Sequence, residues 1–241
     1  MTQESLDVKK GIPDIVFLLD TTGSMKECLR AVTDNIATFV DTLGSSDSNG
    51  GVLIKDWRIR VIGYRDRDGD GSQWWIDNPF TSDVAQVKQQ LSALEAKGGG
   101  DEPESLLDAM YTISQWPSVD KGSSASPTGW RHRHDATRVM IIFTDASCKP
   151  SFTAADGSKG AIPDLINACN ASKLKVILFA PDAPCYADLS MMNGLEWEPV
   201  GALGAGPVES LREYTTHTEN FRKVMEALAK TVSVSSVVPL A

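Results

Sequence analysis

Asp20, Thr22 and Ser24 stand at alternate positions directly after the apolar run Ile15-Val16-Phe17-Leu18-Leu19. A tight loop closing a strand can turn three such oxygen-bearing side chains to one side. Carboxylate and hydroxyl oxygens are hard ligands, suited to Mg2+, Mn2+ or Ca2+ and poorly suited to zinc or copper. A second apolar run, Val139-Met140-Ile141-Ile142-Phe143, leads through Thr144 to Asp145, and Gly98-Gly99-Gly100-Asp101 lies between the two. Ser24-Met25-Lys26-Glu27 also fits the S-x-x-E capping box of a helix start. Capping would account for Ser24 and Glu27 but leaves Asp20 and Thr22 unexplained.

The elements that must carry these residues follow from periodicity. Consecutive apolar residues in the first run imply a strand buried on both faces. Met25, Leu29, Val32, Ile36, Phe39 and Leu43 recur at steps of three and four, predicting one helix that Gly44 ends. Residues 44–51 read as a flexible turn. Trp57 to Tyr64 predicts a strand, and Trp74-Trp75-Ile76 a short edge strand. Val84, Val87, Leu91 and Leu94 mark a second helix, and Leu106, Leu107, Met110 and Ile113 a third. Residues 117–135, rich in Pro, Ser and Gly, are expected to form an exposed loop insertion. After the Val139–Asp145 strand come a helix over Ile162–Ala171 and a buried strand over Leu174–Ala180. A loop-rich stretch is expected to about Pro207, then an amphipathic helix with Phe221, Val224, Met225, Leu228 and Ala229. Strand–helix alternation of this kind predicts an α/β fold, a Rossmann-like open, mainly parallel sheet with helices on both faces. Such sheets bind ligands at the carboxyl ends of their strands.

Asp-Thr-Thr-Gly-Ser-Met after one apolar strand, Gly-Gly-Gly-Asp-Glu-Pro-Glu, then Phe-Thr-Asp-Ala after another together resemble a von Willebrand factor A domain. Gly63-Tyr64-Arg65-Asp66 resembles the soluble, intracellular members, including those found beside kinase domains. The resemblance spans residues 12–232, leaving 1–11 and 233–241 as tails. It implies a metal-ion-dependent adhesion site with Asp20, Thr22, Ser24, Asp101 and Asp145 as ligands of Mg2+, with Mn2+ or Ca2+ as alternatives. Electrostatics agrees. A helix N-terminus carries about half a positive charge and repels a cation, so nearby carboxylates must hold it. Three aspartates gathered without a cation would raise one another's pKa. The best-known adhesive members have threonine where this chain has Asp101. A third carboxylate on the ion would make it a weaker acceptor of an outside acid.

Other motifs carry less. Asp66-Arg67-Asp68-Gly69-Asp70-Gly71 resembles the front of a calcium loop, with Asp77 at the twelfth position in place of the usual glutamate. A solvated acidic turn is the simpler expectation. Arg131-His132-Arg133-His134 is a small basic patch, expected in an exposed loop. Trp74, Trp75 and Trp130 lie in polar surroundings that suggest exposure. Gly201 to Gly206 is glycine-rich but does not follow the dinucleotide pattern.

The chain has 241 residues, a formal net charge of −9, and four widely spaced cysteines without a C-x-x-C. The negative balance argues against nucleic acid and anionic membrane as partners. Residues 1–12 contain no apolar run, and no stretch approaches a membrane span of about 20 residues. The expectation is a cytoplasmic protein with reduced thiols, although one cysteine pair could meet in space. The functional expectation is a non-catalytic protein–protein interaction module, its Mg2+ coordinating an acidic residue of a partner such as an ATPase, kinase or phosphatase. The alternatives are a metal-stabilised scaffold and a Mg2+-dependent hydrolase.

Overall fold

The structure, a computed structural model, describes residues 12–44, 56–100, 102–202 and 211. Asp101, most of the expected 44–51 turn and the expected helix around Phe221–Ala229 lie outside the described residues.

Strand β1 (Pro13–Asp20) is buried at every position. It pairs in parallel with β2 (Arg58–Tyr64) on one side and with β4 (Thr137–Phe143) on the other. Short β3 (Trp75–Asp77) runs antiparallel along β2 as an edge. On the far side β7 (Leu174–Asp182) and β8 (Leu195–Ala202) extend the sheet in parallel, giving the order β3-β2-β1-β4-β7-β8. A separate two-stranded ribbon is made by β5 (Ser151–Thr153) and β6 (Lys159–Ala161).

Side chains alternate across a strand, and the alternation sorts the core into two layers. Ile15, Phe17 and Leu19 of β1 join Val139 and Ile141 of β4 under α1 (Leu29–Gly44) and α3 (Val84–Ser92). Val16 and Leu18, with Met140 and Ile142, face α4 (Leu106–Ser114), α5 (Ile162–Ser172) and α6 (Pro184–Leu189). A strand serving both layers is apolar on both faces along its middle, Ile15 to Leu19 in β1, which is why its sequence does not alternate there.

The expected first helix divides in two. Gly23–Glu27 forms a 3₁₀ turn and α1 begins at Leu29. The stretch expected to be loop-rich up to Pro207 instead holds α6 and β8. Trp130, expected exposed, is fully buried, packed against Phe80 and Trp116. Trp74 and Trp75 are half-buried.

The basic patch is also redistributed. Arg131 is buried, its Nε 2.7 Å from Asp14 Oδ1, while Arg133 and His134 remain exposed. Arg58, Arg60 and Arg131 reach along the amino ends of the strands to Asp14, Asp77 and Asp56. They also take loop carbonyls: Arg58 donates to Gly129 O at 2.7 Å and Arg60 to Thr128 O at 2.8 Å. Guanidinium groups thus anchor this Pro- and Ser-rich loop alongside the buried Trp130.

Candidate metal centre

The strand order reverses between β1 and β4, and the cleft at such a reversal is where open α/β sheets bind ligands. Asp20 ends β1 there, and Asp145 follows β4 by two residues.

Asp20 is fully buried. Its Oδ1 accepts the Thr22 backbone N–H at 2.9 Å and the Thr22 hydroxyl at 2.7 Å. Its Oδ2 accepts the Thr144 hydroxyl at 2.7 Å. Ser24 Oγ donates to Asp145 Oδ1 at 3.1 Å. Ser24 therefore does not cap a helix: Thr22 holds the N-cap position, with no side-chain cap bond. The sequence fits a capping box, but the serine hydroxyl faces a carboxylate 121 residues away.

A proton count shows what the arrangement lacks. Thr22 Oγ1 and Ser24 Oγ lie 3.1 Å apart. Each hydroxyl has one hydrogen and two lone pairs. With both carboxylates ionised, the Thr22 proton goes to Asp20 and the Ser24 proton to Asp145, and no hydrogen remains for the contact between them. Two sets of lone pairs then face one point, flanked by carboxylates, which is the donor set a hard cation satisfies.

Charge supports the same fit. Burial first, and the Asp145 charge second, push Asp20 from an ordinary 3.8 to about 6. Burial also raises Asp145, although the Ser24 hydroxyl opposes it. Among the described residues, no three carboxylate, imidazole or thiol groups gather closely enough to hold a metal by themselves. An ion here would therefore draw on the hydroxyls of Thr22 and Ser24 and on the central glycine loop.

The central loop supplies a residue that sequence reasoning passed over. Glu104 is 5% exposed, and its Oε2 has no hydrogen-bond partner among the described residues. Burial, then the Asp20 and Asp66 charges, push it from 4.5 to about 8. Its backbone is pinned beside Asp145: the Glu104 N–H donates to Ser147 O at 2.9 Å, and Lys149 N–H donates to Glu104 O at 2.9 Å. Thr22, Ser24, Glu104 and Asp145 all line one open cavity of about 330 Å³ with the glycine loop. The missed signal was the second glutamate of Gly-Gly-Gly-Asp-Glu-Pro-Glu.

The acidic turn expected to be solvated braces this loop. Asp66 caps the short helix α2 (Arg67–Asp70), accepts the Ser105 hydroxyl at 3.1 Å and pairs with Lys149. Lys149 also reaches Asp68 at 2.7 Å. Asp70 Oδ2 accepts the Gly99 N–H at 2.8 Å. Arg65 donates to Thr21 O, Gln73 O and Glu95 O, tying the motif after β2 to the Asp20 loop. Asp77, the expected twelfth calcium position, is bound instead by Arg60.

Glycine is required where this brace touches the loop. Gly98 has φ +67°, and a Cβ there would lie 2.0 Å from Asp70 Oδ1. Gly122 has φ +75° with nothing within 4 Å of its would-be Cβ. Gly122→Ala should therefore cost about 1 kcal/mol of backbone strain alone. Gly98→Ala should cost roughly 1 kcal/mol more, because a carboxylate must move. Urea unfolding in chelator would check the difference, and equal losses would contradict the bracing role.

The sequence profile of the von Willebrand factor type A domain matches residues 14–196. Among curated proteins, none matches the chain's sequence. Among solved structures, proximal thread matrix protein 1 of the mussel byssus is similar at TM-score 0.56 and 14% identity, over 88% of this chain and 48% of that one. Another structure of that protein, with zinc occupying its metal-ion-dependent adhesion site motif, aligns equally well. The pilus adhesin SpaC of Lactobacillus rhamnosus GG, in its open conformation, is similar at TM-score 0.52 and 13% identity, over 92% of this chain and 30% of that one. The chain thus spans less than half of the length of each of these proteins. At such identities the likeness shows the fold.

Proposed function

The chain belongs to the von Willebrand factor type A domain family, and we propose that it is a non-catalytic interaction module using a divalent metal, Mg2+ foremost, to bind an acidic residue of a partner protein. Asp20, Thr22, Ser24 and Asp145 would hold the ion, with Asp101 and Glu104 contributing from the central loop. A bound ion supplies Lewis acidity toward an incoming carboxylate. The observation that carries the reading is the pair of hydroxyl oxygens, 3.1 Å apart without a proton to share, open to a cavity and flanked by buried carboxylates.

The protein's own residues do the positioning. The Thr144 and Thr22 hydroxyls fix both oxygens of Asp20. The Asp70 and Lys149 contacts hold the glycine loop and the Asp145 loop in register. We assign no catalytic step. His132 and His134 precede β4 at its amino end, away from the cavity. Among the described residues, the groups at the cavity that could act as a general base are the carboxylates of Glu102, Glu104 and Asp145. Resemblance to stand-alone relatives points to an ATPase, kinase or phosphatase as the partner, in the cytoplasm. No helix among the described residues is long and apolar enough to cross a membrane.

The test is comparative co-purification. Proteins should be retained by the wild type in Mg2+, released by chelator, and not retained by Asp145→Asn. Mn2+ and Zn2+ belong in the same series, since a relative holds zinc at its motif. Retention indifferent to chelator would contradict the metal-mediated grip and favour a scaffold. Turnover of phosphoesters or peptides that needs Asp145 would contradict the non-catalytic reading.

A further inference from the structure

Two of the four cysteines meet beside the site. Cys148 is 5% exposed and lies in the turn after β4, three residues beyond Asp145. Cys185 is the second residue of α6 and is half-buried. The Cys148 backbone N–H donates to Cys185 Sγ at 3.2 Å. The two thiols are close enough to shift each other's ionisation in opposite directions, Cys148 upward and Cys185 downward. Both are free thiols, although they are 37 residues apart in sequence.

We propose that Cys148 and Cys185 are a redox dithiol that closes to an intramolecular disulfide on reaction with a small-molecule disulfide such as oxidised glutathione, and that closure weakens metal binding at the adjacent site. Cys185 is the attacking sulfur because it is the more exposed of the two. The hydrogen bond from Cys148 also holds its thiol below the usual range, despite burial. Its thiolate attacks the oxidant, one thiolate of the oxidant leaves, and a mixed disulfide forms. Cys148 then loses its proton, attacks the Cys185 sulfur and expels the second thiolate, which takes up a proton. Two thiols are oxidised, one disulfide is reduced, and two small thiols are released.

The coupling to the site follows from what Cys148 touches. It pairs as an isolated bridge with Glu104, and the Ser147 and Lys149 backbones hydrogen-bond Glu104 on either side. The Tyr186 hydroxyl donates to Ala146 O, so α6 grips the same turn. Closure removes the N–H contact to the Cys185 thiol and redirects the Cys148 side chain, in a turn that carries Asp145 and grips the Glu104 backbone. This coupling rests on the metal reading; the dithiol chemistry does not.

The experiment is oxidation of the full chain with glutathione disulfide, followed by alkylation under denaturing conditions and intact mass. The expected product has lost two hydrogens and two of its four alkylatable thiols, and reduction restores both. Cys28→Ser/Cys169→Ser should behave like the wild type, while Cys148→Ser should stop at a mixed disulfide on Cys185. Four alkylatable thiols throughout, or a stable glutathione adduct on wild-type Cys185, would overturn the dithiol. Mg2+ titration should show affinity about fivefold or more weaker in the oxidised form. A closed disulfide with unchanged Mg2+ affinity would overturn the coupling alone. Absence of Mg2+ binding in both redox states would overturn the coupling through the metal reading and leave the dithiol standing.

Discussion

Asp14→Ala should lower stability by about 3–5 kcal/mol, the cost of removing one partner from a buried ion network. Asp14 is 0% exposed and accepts four hydrogen bonds: Arg58 Nε and Nη2, each at 2.6 Å, the Arg131 backbone N–H at 2.8 Å and Arg131 Nε at 2.7 Å. Its loss leaves two buried guanidinium groups without their shared carboxylate. Arg131 keeps Asp56, whose side chain is 66% exposed and so offers a weakly held charge. For a chain of this size the melting temperature should fall by roughly 10 °C. Arg30→Ala makes the contrast: it removes an exposed i,i+4 pair with Asp34 and should change stability by less than about 0.5 kcal/mol. Thermal melts of both variants check the point. A loss below about 1 kcal/mol for Asp14→Ala would mean that the arginine cluster is satisfied by loop carbonyls alone.

Asp20→Asn should do two opposite things. It removes a charged ligand, so Mg2+ affinity should fall by about 100-fold or more, since even outer-shell changes commonly cost 10- to 100-fold. It also removes a buried charge, so the metal-free protein should become more stable. Asparagine can keep the three hydrogen bonds, accepting from Thr22 at Oδ1 and donating from Nδ2 to the Thr144 hydroxyl. The gain depends on pH in a direction fixed by linkage. The folded-state pKa of about 6 lies above the ordinary 3.8. Between those values the folded protein holds a proton that the unfolded chain releases, so wild-type stability falls as pH rises through that window. Below 3.8 the variant should have little advantage. Above about 6 the advantage should level off at about 2–3 kcal/mol. A site built for stability would show the reverse, a loss on substitution.

The parts of the fold read most directly from sequence are those whose local pattern matches their surroundings. The β1 and β4 runs are apolar at consecutive positions because each serves two core layers. The helices carrying Val87 and Leu91, or Leu106 and Met110, show their steps because one face packs on the sheet. β8 was hidden for the opposite reason. Among the described residues it is a sheet edge whose residues Glu196, Trp197 and Glu198 leave the core only a weak pattern, and it contains Pro199, which edges tolerate and central strands do not. Arg131 was hidden because its carboxylate is 117 residues away. Local charge runs are usually solvated, and nothing nearby in sequence reveals a buried partner. The same limit applied at the site. Asp20, Thr22 and Ser24 announce themselves through spacing within one loop. Glu104 becomes visible only when the β4 turn is seen gripping its backbone on both sides.

On this reading the buried carboxylates at the sheet's switch point exist to hold a divalent ion. Calorimetric titration of Mg2+ into the wild type and Asp20→Asn near neutral pH, with matching melting curves in chelator, tests it most directly. The wild type should show one binding event and a stabilisation of about 2.7 kcal/mol at a hundredfold excess over Kd. Asp20→Asn should bind about 100-fold or more weakly, and its melting temperature should respond little to Mg2+ and exceed that of the chelated wild type. A wild type whose melting is the same with and without Mg2+, or an Asp20→Asn variant that binds as tightly, would contradict it.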